Sequence, residues 1–170
     1  MHIIISSSLN KNSKSKIMAE YASKLYNNDV KILDLSSINM PFCDGNDCYD
    51  QDVVKDLQEI ILSAKSIILA GPIYNFDFNA AAKNLVELTG RNWTDKVVGF
   101  ICAAGGYSSY MSPMSFANSL MLDFRCIIVP RFVYATGNSF DEDYNIDKEI
   151  KDRIKELVDL TIKISQILWH

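Results

Sequence analysis

The segment "HIIISSSLNKNSKSKIMAEYASKL", residues 2–25, decides how the rest of the chain is read. It opens on an apolar run rich in β-branched residues that predicts a buried strand over 2–7. Met18, Tyr21, Ala22 and Leu25 then fall on one helical face and predict a helix over 13–27. A strand that turns directly into a helix opens a βαβ unit. The turn, residues 6–15, holds serines and asparagines and no glycine. Hydroxyls, amides and the N–H groups of a helix start suit a phosphate monoester, and Lys11, Lys14 and Lys16 add positive charge. The same residues also suit a plain polar loop with Ser13 or Asn12 as helix cap.

The alternation continues along the chain. Strands are predicted at 30–36, 66–72, 96–104 and within 125–135, where Pro130 marks an edge or a strand end. Helices are predicted at 51–64, 79–90 and 108–123. A long amphipathic helix follows, marked by Ile146, Ile150, Ile154, Leu157, Ile164 and Leu168. Five strands and five helices in strict order, with continuously apolar strands, predict an α/β fold with a parallel sheet covered on both faces. The expected architecture is a doubly wound five-stranded sheet, flavodoxin-like, in the order 2-1-3-4-5, forming one domain over 1–170.

With 48% hydrophobic residues the chain can fill a sizeable core, so disorder is not expected. A net charge of −4 without a basic stripe argues against nucleic acid as a partner. No apolar run reaches membrane-spanning length, and the start Met-His-Ile-Ile-Ile-Ser carries no basic segment or cleavage site. Cys43, Cys48, Cys102 and Cys126 are irregularly spaced, which suits reduced thiols in the cytoplasm.

In a doubly wound sheet the ligand lies beyond the C-terminal strand ends, near the switch in strand order. Three loops are therefore candidates: 6–15, 71–78 and 103–111. The second carries Tyr74, Asn75, Phe76 and Phe78, which could flank a flat ring or pack under a loop. The third carries Gly105 and Gly106, which let backbone approach a ligand, followed by Ser108 and Ser109. Together they outline a phosphate pocket at one end and a flat-ring pocket at the other.

On these motifs the chain resembles the NADPH-dependent FMN reductase family of flavodoxin-like proteins. The family's opening "GS-L-R-x-x-S-x-S" reads Ser7-Ser8-Leu9-Asn10, then Ser13 and Ser15. Its "P-x-Y-N-x-S-x-P…K-N" reads Pro72-Ile73-Tyr74-Asn75-Phe76-Asp77-Phe78-Asn79…Lys83-Asn84, and its later Gly-rich turn reads Ala104-Gly105-Gly106. The resemblance implies FMN as cofactor and NADPH or NADH as electron donor. Ser8, Asn10, Ser13, Lys14 and Ser15 would hold the phosphate. Pro72, Ile73, Tyr74, Asn75 and Phe76 would run along the isoalloxazine, and Ala104, Gly105, Gly106 and Tyr107 would meet its pyrimidine end. It further implies a small-molecule acceptor (flavin, quinone or azo compound), no catalytic side chain of the protein's own, and a homodimer or homotetramer that pairs through helix 79–90 and the loop before it. The alternative is a non-catalytic electron carrier or partner-binding module.

Four departures stand out: Ser7 for the family's glycine, Asn10 for its arginine, Asp77 for its serine and Asn79 for its proline. Losing a charged phosphate partner, worth about 1.5–3 kcal/mol, is expected to weaken FMN binding about ten- to a hundred-fold unless Lys11 or Lys14 stands in. Asp77 is expected to place a carboxylate near the flavin.

Other chemistries are unsupported. There is no G-x-G-x-x-G and no Walker A loop. Cys126 and Arg131 stand one residue too close for a Cys-x5-Arg phosphatase loop, and Ser6-Ser7-Ser8 lacks the acidic pair of a receiver domain. A zinc site at Cys43 and Cys48 would need imidazole from His2 or His170, at the chain ends, so no metal is expected. Free thiols there, or a reversible disulfide, remain. Met111, Met114, Met121 and Phe116 read as core.

Overall fold

A computed structural model describes residues 1–27 and 30–168; His170 lies outside them. The strands are β1 (His2–Ser6), β2 (Val30–Asp34), β3 (Ser66–Tyr74), β4 (Asp77–Phe78), β5 (Val97–Ala103), β6 (Ile127–Ile128) and β7 (Val133–Ala135), and all but β4 pair in parallel. The helices are α1 (Lys14–Ser23), α2 (Asp52–Ser63), α3 (Ala80–Thr89), α4 (Pro113–Phe124) and α5 (Lys148–Leu168). The sheet runs β2-β1-β3-β5-β6, with β7 also on β5, which is the doubly wound order expected from the sequence.

Alternation along each strand sends side chains to opposite faces. Ile3, Ile5, Ile67, Leu69, Val98 and Phe100 pack with Leu57 and Ile61 of α2, Leu85 of α3 and Leu120 of α4. Ile4, Ile68, Val97 and Ile101 pack with Met18 and Ala22 of α1 and Ile154 and Val158 of α5. At Gly99 a Cβ would lie 3.1 Å from Leu157, so the missing side chain sets how closely α5 approaches the sheet.

The structure corrects four local expectations. The strand at 66–72 continues to Tyr74 and returns as the short antiparallel strand β4, with Tyr74 opposite Asp77. Its two-residue turn puts Asn75 (φ 51) and Phe76 (φ 64) in the left-handed region, as a type I′ hairpin requires. The last strand is broken in two around Pro130 and Arg131, whose φ of 60 bends the chain off the ladder. The predicted helix 108–123 starts at Pro113 and is preceded by a tight turn at Tyr107–Ser109. Phe116 is core, but Met111, Met114 and Met121 are exposed.

Candidate functional site

Parallel register aligns the strand ends: Ser6 with Ala70, Pro72 with Ala103, and Ala103 with Ala135. The three loops leaving β1, β3 and β5 therefore meet at one edge and enclose a cleft of about 470 Å³. Ser8, Asn10, Ser13, Lys14 and Ser15 line one end. Pro72, Ile73 and Tyr74 line the middle, and Ala104 and Gly105 the other end. Asn75, Phe76, Gly106 and Tyr107 lie outside it. Asn75 borders a second cavity across the hairpin with Asp77 and Lys83. Phe76 stands exposed at the hairpin tip. The Gly106 carbonyl accepts from Tyr134 Oη at 2.9 Å, and Tyr107 faces a small cavity with Tyr110 and Tyr134.

The polar end is organised by local hydrogen bonds. Ser13 caps α1, its Oγ accepting from the Lys16 N–H at 3.2 Å and contacting Ser15 Oγ at 2.9 Å. Asn10 Oδ1 accepts from the Asn12 N–H at 3.0 Å, forming an Asx turn. Ser13 is thus the helix cap, and Lys14 and Ser15, whose N–H groups lack intrahelical acceptors, border the cleft.

The structure also separates the three lysines. Lys16 is tied to Asp34 at 2.6 Å, and Lys11 lines a neighbouring cavity rather than this cleft. Lys14 reaches into the cleft, its ammonium 5.2 Å from the centre of the Phe140 ring and 6.0 Å from that of Tyr144. No carboxylate among the described residues pairs with Lys14.

Tyr144, which the sequence did not single out, forms the outer wall beside Asn12. Its φ of 63 is unusual for a non-glycine residue. Asp141 holds it there. The Asp141 carboxylate accepts from the Asp143 N–H (3.0 Å), the Asn145 N–H (2.7 Å) and Asn145 Nδ2 (2.9 Å), and the Asp141 carbonyl accepts from the Tyr144 N–H at 3.0 Å. These bonds, Asn145's first, keep the carboxyl below the usual carboxylate range. The acidic stretch 141–143 thus positions Tyr144, the residue of this turn that lines the cleft. Only the Asp-x-x-x-Asn spacing hints at this turn, and nothing in it shows that the turn folds back over α1.

Two of the sequence departures turn out to be partners. Ser7 Oγ donates to Asn79 Oδ1 at 2.7 Å, and Asn79 Nδ2 returns a bond to the Ser7 carbonyl at 2.7 Å, all of it buried. Asp77, expected near the flavin, does not line the cleft. Its carboxylate accepts from the Phe78 N–H at 2.8 Å and from Ser115 Oγ of α4 at 2.9 Å. Asn84 is structural, donating to the Pro41 carbonyl and accepting from the Cys43 N–H.

The donor set fits a flavin mononucleotide. Hydroxyls, helix-start N–H groups and one unpaired ammonium gather at a single end, which suits a dianionic phosphate. At the other end, a Cβ on Gly105 would meet no atom within 4 Å, so packing within the chain does not require that glycine. What the missing side chain leaves is open space at the cleft wall, where a flat ring can lie against backbone.

The chain is similar to known flavin and quinone reductases. The sequence profile described as NADPH-dependent FMN reductase matches residues 2–141. An NAD(P)H-dependent FAD/FMN reductase from Geobacillus thermodenitrificans is 29% identical over 133 residues, 76% of this chain and 71% of that protein. An NADPH:quinone oxidoreductase from Arabidopsis thaliana is 31% identical over 114 residues, 62% of this chain and 58% of that protein. Among solved structures, the flavoenzyme NAD(P)H:(acceptor) oxidoreductase FerB from Paracoccus denitrificans superposes with a TM-score of 0.81 at 16% identity, over 98% of this chain and 97% of that one, a likeness of fold. With the profile spanning all three loops of the cleft, the chain belongs to the NADPH-dependent FMN reductase family.

Proposed function

We propose that the cleft between the loops after β1, β3 and β5 is the FMN site of an NAD(P)H-dependent oxidoreductase serving a small acceptor such as a flavin, quinone or azo compound. The observation that carries this is the polarity of the cleft, with an unpaired Lys14 and the α1 start at one end and an open Gly105 at the other. FMN supplies the chemistry when bound, since its ring accepts hydride from a nicotinamide and passes electrons to an acceptor. The chain supplies position. Ser8, Asn10, Ser13 and Ser15 offer hydrogen bonds to the phosphate, and Lys14 offers charge. Pro72, Ile73 and Tyr74 form an apolar wall along the ring, while the backbone at Ala104 and Gly105 faces its polar edge. No protein side chain is assigned a proton-transfer role.

Exposed Tyr74, Phe76, Met111, Met114, Met121 and Leu122 lie on the hairpin, on α4 and just before it. They support a homodimer or homotetramer in which a second copy covers the apolar rim. The exposed positions of α3 are Ala80, Lys83 and Glu87, which offer less apolar surface. The four cysteines are unpaired, as a cytoplasmic location implies, and no helix among the described residues is long and apolar enough to cross a membrane.

The test is a visible spectrum of the full-length protein titrated with FMN, then with NADPH without oxygen. A bound flavin band that bleaches within seconds is expected. Bound flavin that does not bleach indicates an electron carrier, and absence of binding overturns the site. Gly105→Val serves as a local probe. The first carbon of its side chain meets no protein atom within 4 Å, so the melting temperature should change little, while FMN affinity falls about tenfold through overpacking against the ring. An unchanged FMN titration would move the ring elsewhere.

A further inference from the structure

The flavin site leaves unused the segment 43–48, "CDGNDC", which holds two of the four thiols. Asp44 folds it back on itself. Asp44 Oδ1 accepts from the Asn46 N–H at 2.9 Å and the Cys48 N–H at 3.2 Å, and Gly45 takes the left-handed φ of 74 that the turn needs. The turn brings the two ends of the segment together, so that Cys43 packs against the cluster that holds Cys48. Both pack with Val54 and Leu88 in a small apolar cluster. Access is unequal, for Cys48 is fully buried and Cys43 half-buried. The Tyr49 hydroxyl lies 3.3 Å from Cys43 Sγ, and that hydrogen bond pushes its pKa up to about 12. Tyr49 therefore keeps its proton and can donate it to a Cys43 thiolate.

We propose that Cys43 and Cys48 are a redox modification site, with Cys43 the residue oxidised by a hydroperoxide and Cys48 the residue that resolves it into an intraloop disulfide. In the first step the Cys43 thiolate attacks one peroxide oxygen. The O–O bond breaks, sulfur gives up two electrons, and hydroxide leaves, to be protonated to water. In the second step Cys48, losing its proton, attacks the Cys43 sulfenic sulfur and displaces hydroxide, which that proton converts to water. Two thiols and one hydrogen peroxide give one disulfide and two waters. Cys48 suits the second role, because burial and the Asp44 carboxylate raise its pKa and keep it from reacting first. Cys102 and Cys126 have no thiol beside them among the contacts of the described residues; Cys102 is fully buried, and Cys126 donates to the Trp93 carbonyl at 3.1 Å.

The test uses the full-length protein with hydrogen peroxide, trapping of free thiols by N-ethylmaleimide, and tryptic mass spectrometry. Lys31 and Lys55 bound a single tryptic peptide that carries both cysteines. The expected product is that peptide lighter by about 2 Da, unlabelled by maleimide and restored by dithiothreitol. In Cys48→Ser, Cys43 should halt as a sulfenic acid captured by dimedone. In Cys43→Ser, peroxide consumption at this loop should slow by about tenfold or more. Cys48→Ala repeats the first variant without a hydroxyl, should serine at this buried position impair folding. Retained maleimide labelling of both thiols, a sulfinic acid on Cys43 in the unaltered protein, or a disulfide joining two chains would each overturn the proposal.

Discussion

Lys14→Ala is expected to weaken FMN binding about ten- to a hundred-fold, read by quenching of flavin fluorescence. A hydrogen-bonded charge is worth about 1.5–3 kcal/mol, and about 1.4 kcal/mol is a factor of ten. The full effect is expected at this lysine because no carboxylate among the described residues uses its charge. Lys16 spends its ammonium on Asp34 at 2.6 Å, while Lys14 has two aromatic faces and no carboxylate. Those faces fix the ammonium without neutralising it, which lowers the ordering cost of binding. Position 10, where the family carries arginine, here holds an asparagine whose oxygen is engaged by the Asn12 N–H. In the proposed site the charge partner of the phosphate is therefore Lys14, on the first turn of α1, rather than residue 10.

Salt provides the second readout. A phosphate held by a lysine loses affinity as ionic strength rises, through screening. The dependence should flatten in Lys14→Ala and stay unchanged in Lys11→Ala. Riboflavin, which has no phosphate, should bind the two variants equally. Equal losses for FMN and riboflavin in Lys14→Ala would mean that the lysine acts by packing against Phe140 and Tyr144 rather than by charge.

The architecture was legible because it depends on features that sequence carries locally. Apolar runs such as Ile3-Ile4-Ile5 and Ile67-Ile68-Leu69 announce strands buried on both faces, and a helical stripe such as Leu57, Ile61 and Ala64 announces what covers them. The convergence of three loops follows from strand order alone. What stayed hidden depends on non-local contacts. The Asn75-Phe76 turn lacks the glycine that usually marks a type I′ hairpin, so the return strand at Asp77–Phe78 was invisible. Tyr144 enters the site through a fold-back 130 residues from Lys14 in sequence, held by the Asp141 turn. Asp77 read as a charge near the flavin because its tie to Ser115 joins two elements that share no local signal. Ser7 and Asn79 read as separate departures, and only their contact shows that each satisfies the other.

That contact makes Gly71 the backbone position with the largest expected stability effect, about 2–6 kcal/mol for Gly71→Ala. A Cβ at 71 would lie 2.3 Å from Ser7 Oγ and 3.0 Å from the Phe78 ring. Phe78 has little room to yield, being packed on Phe100 and Phe116 at centroid separations of 5.4 and 5.1 Å. Ser7 is held by its N–H on the Ala70 carbonyl at 2.8 Å and by its Oγ on Asn79. Inserting the methyl therefore adds overpacking, about 1–3 kcal/mol, to a buried hydrogen bond broken when Ser7 turns away, about 1–3 kcal/mol. At about 2–4 °C per kcal/mol for a chain of this size, the melting temperature should fall by roughly 4–24 °C. The family residue at position 7 supplies the control. Ser7→Gly alone should cost about 1–3 kcal/mol by leaving Asn79 Oδ1 unpaired, yet it removes the hydroxyl that the new methyl strikes. In that background Gly71→Ala should keep only the cost of pressing on Phe78, about 1–3 kcal/mol, a coupling that a double-mutant cycle in urea would measure. Additive effects would place the obstruction at Phe78 and detach Gly71 from the phosphate loop. A strong coupling would mean that serine at 7, asparagine at 79 and glycine at 71 form one buried unit under the cleft, and that replacing any one of them shifts Ser8 and the phosphate end with it.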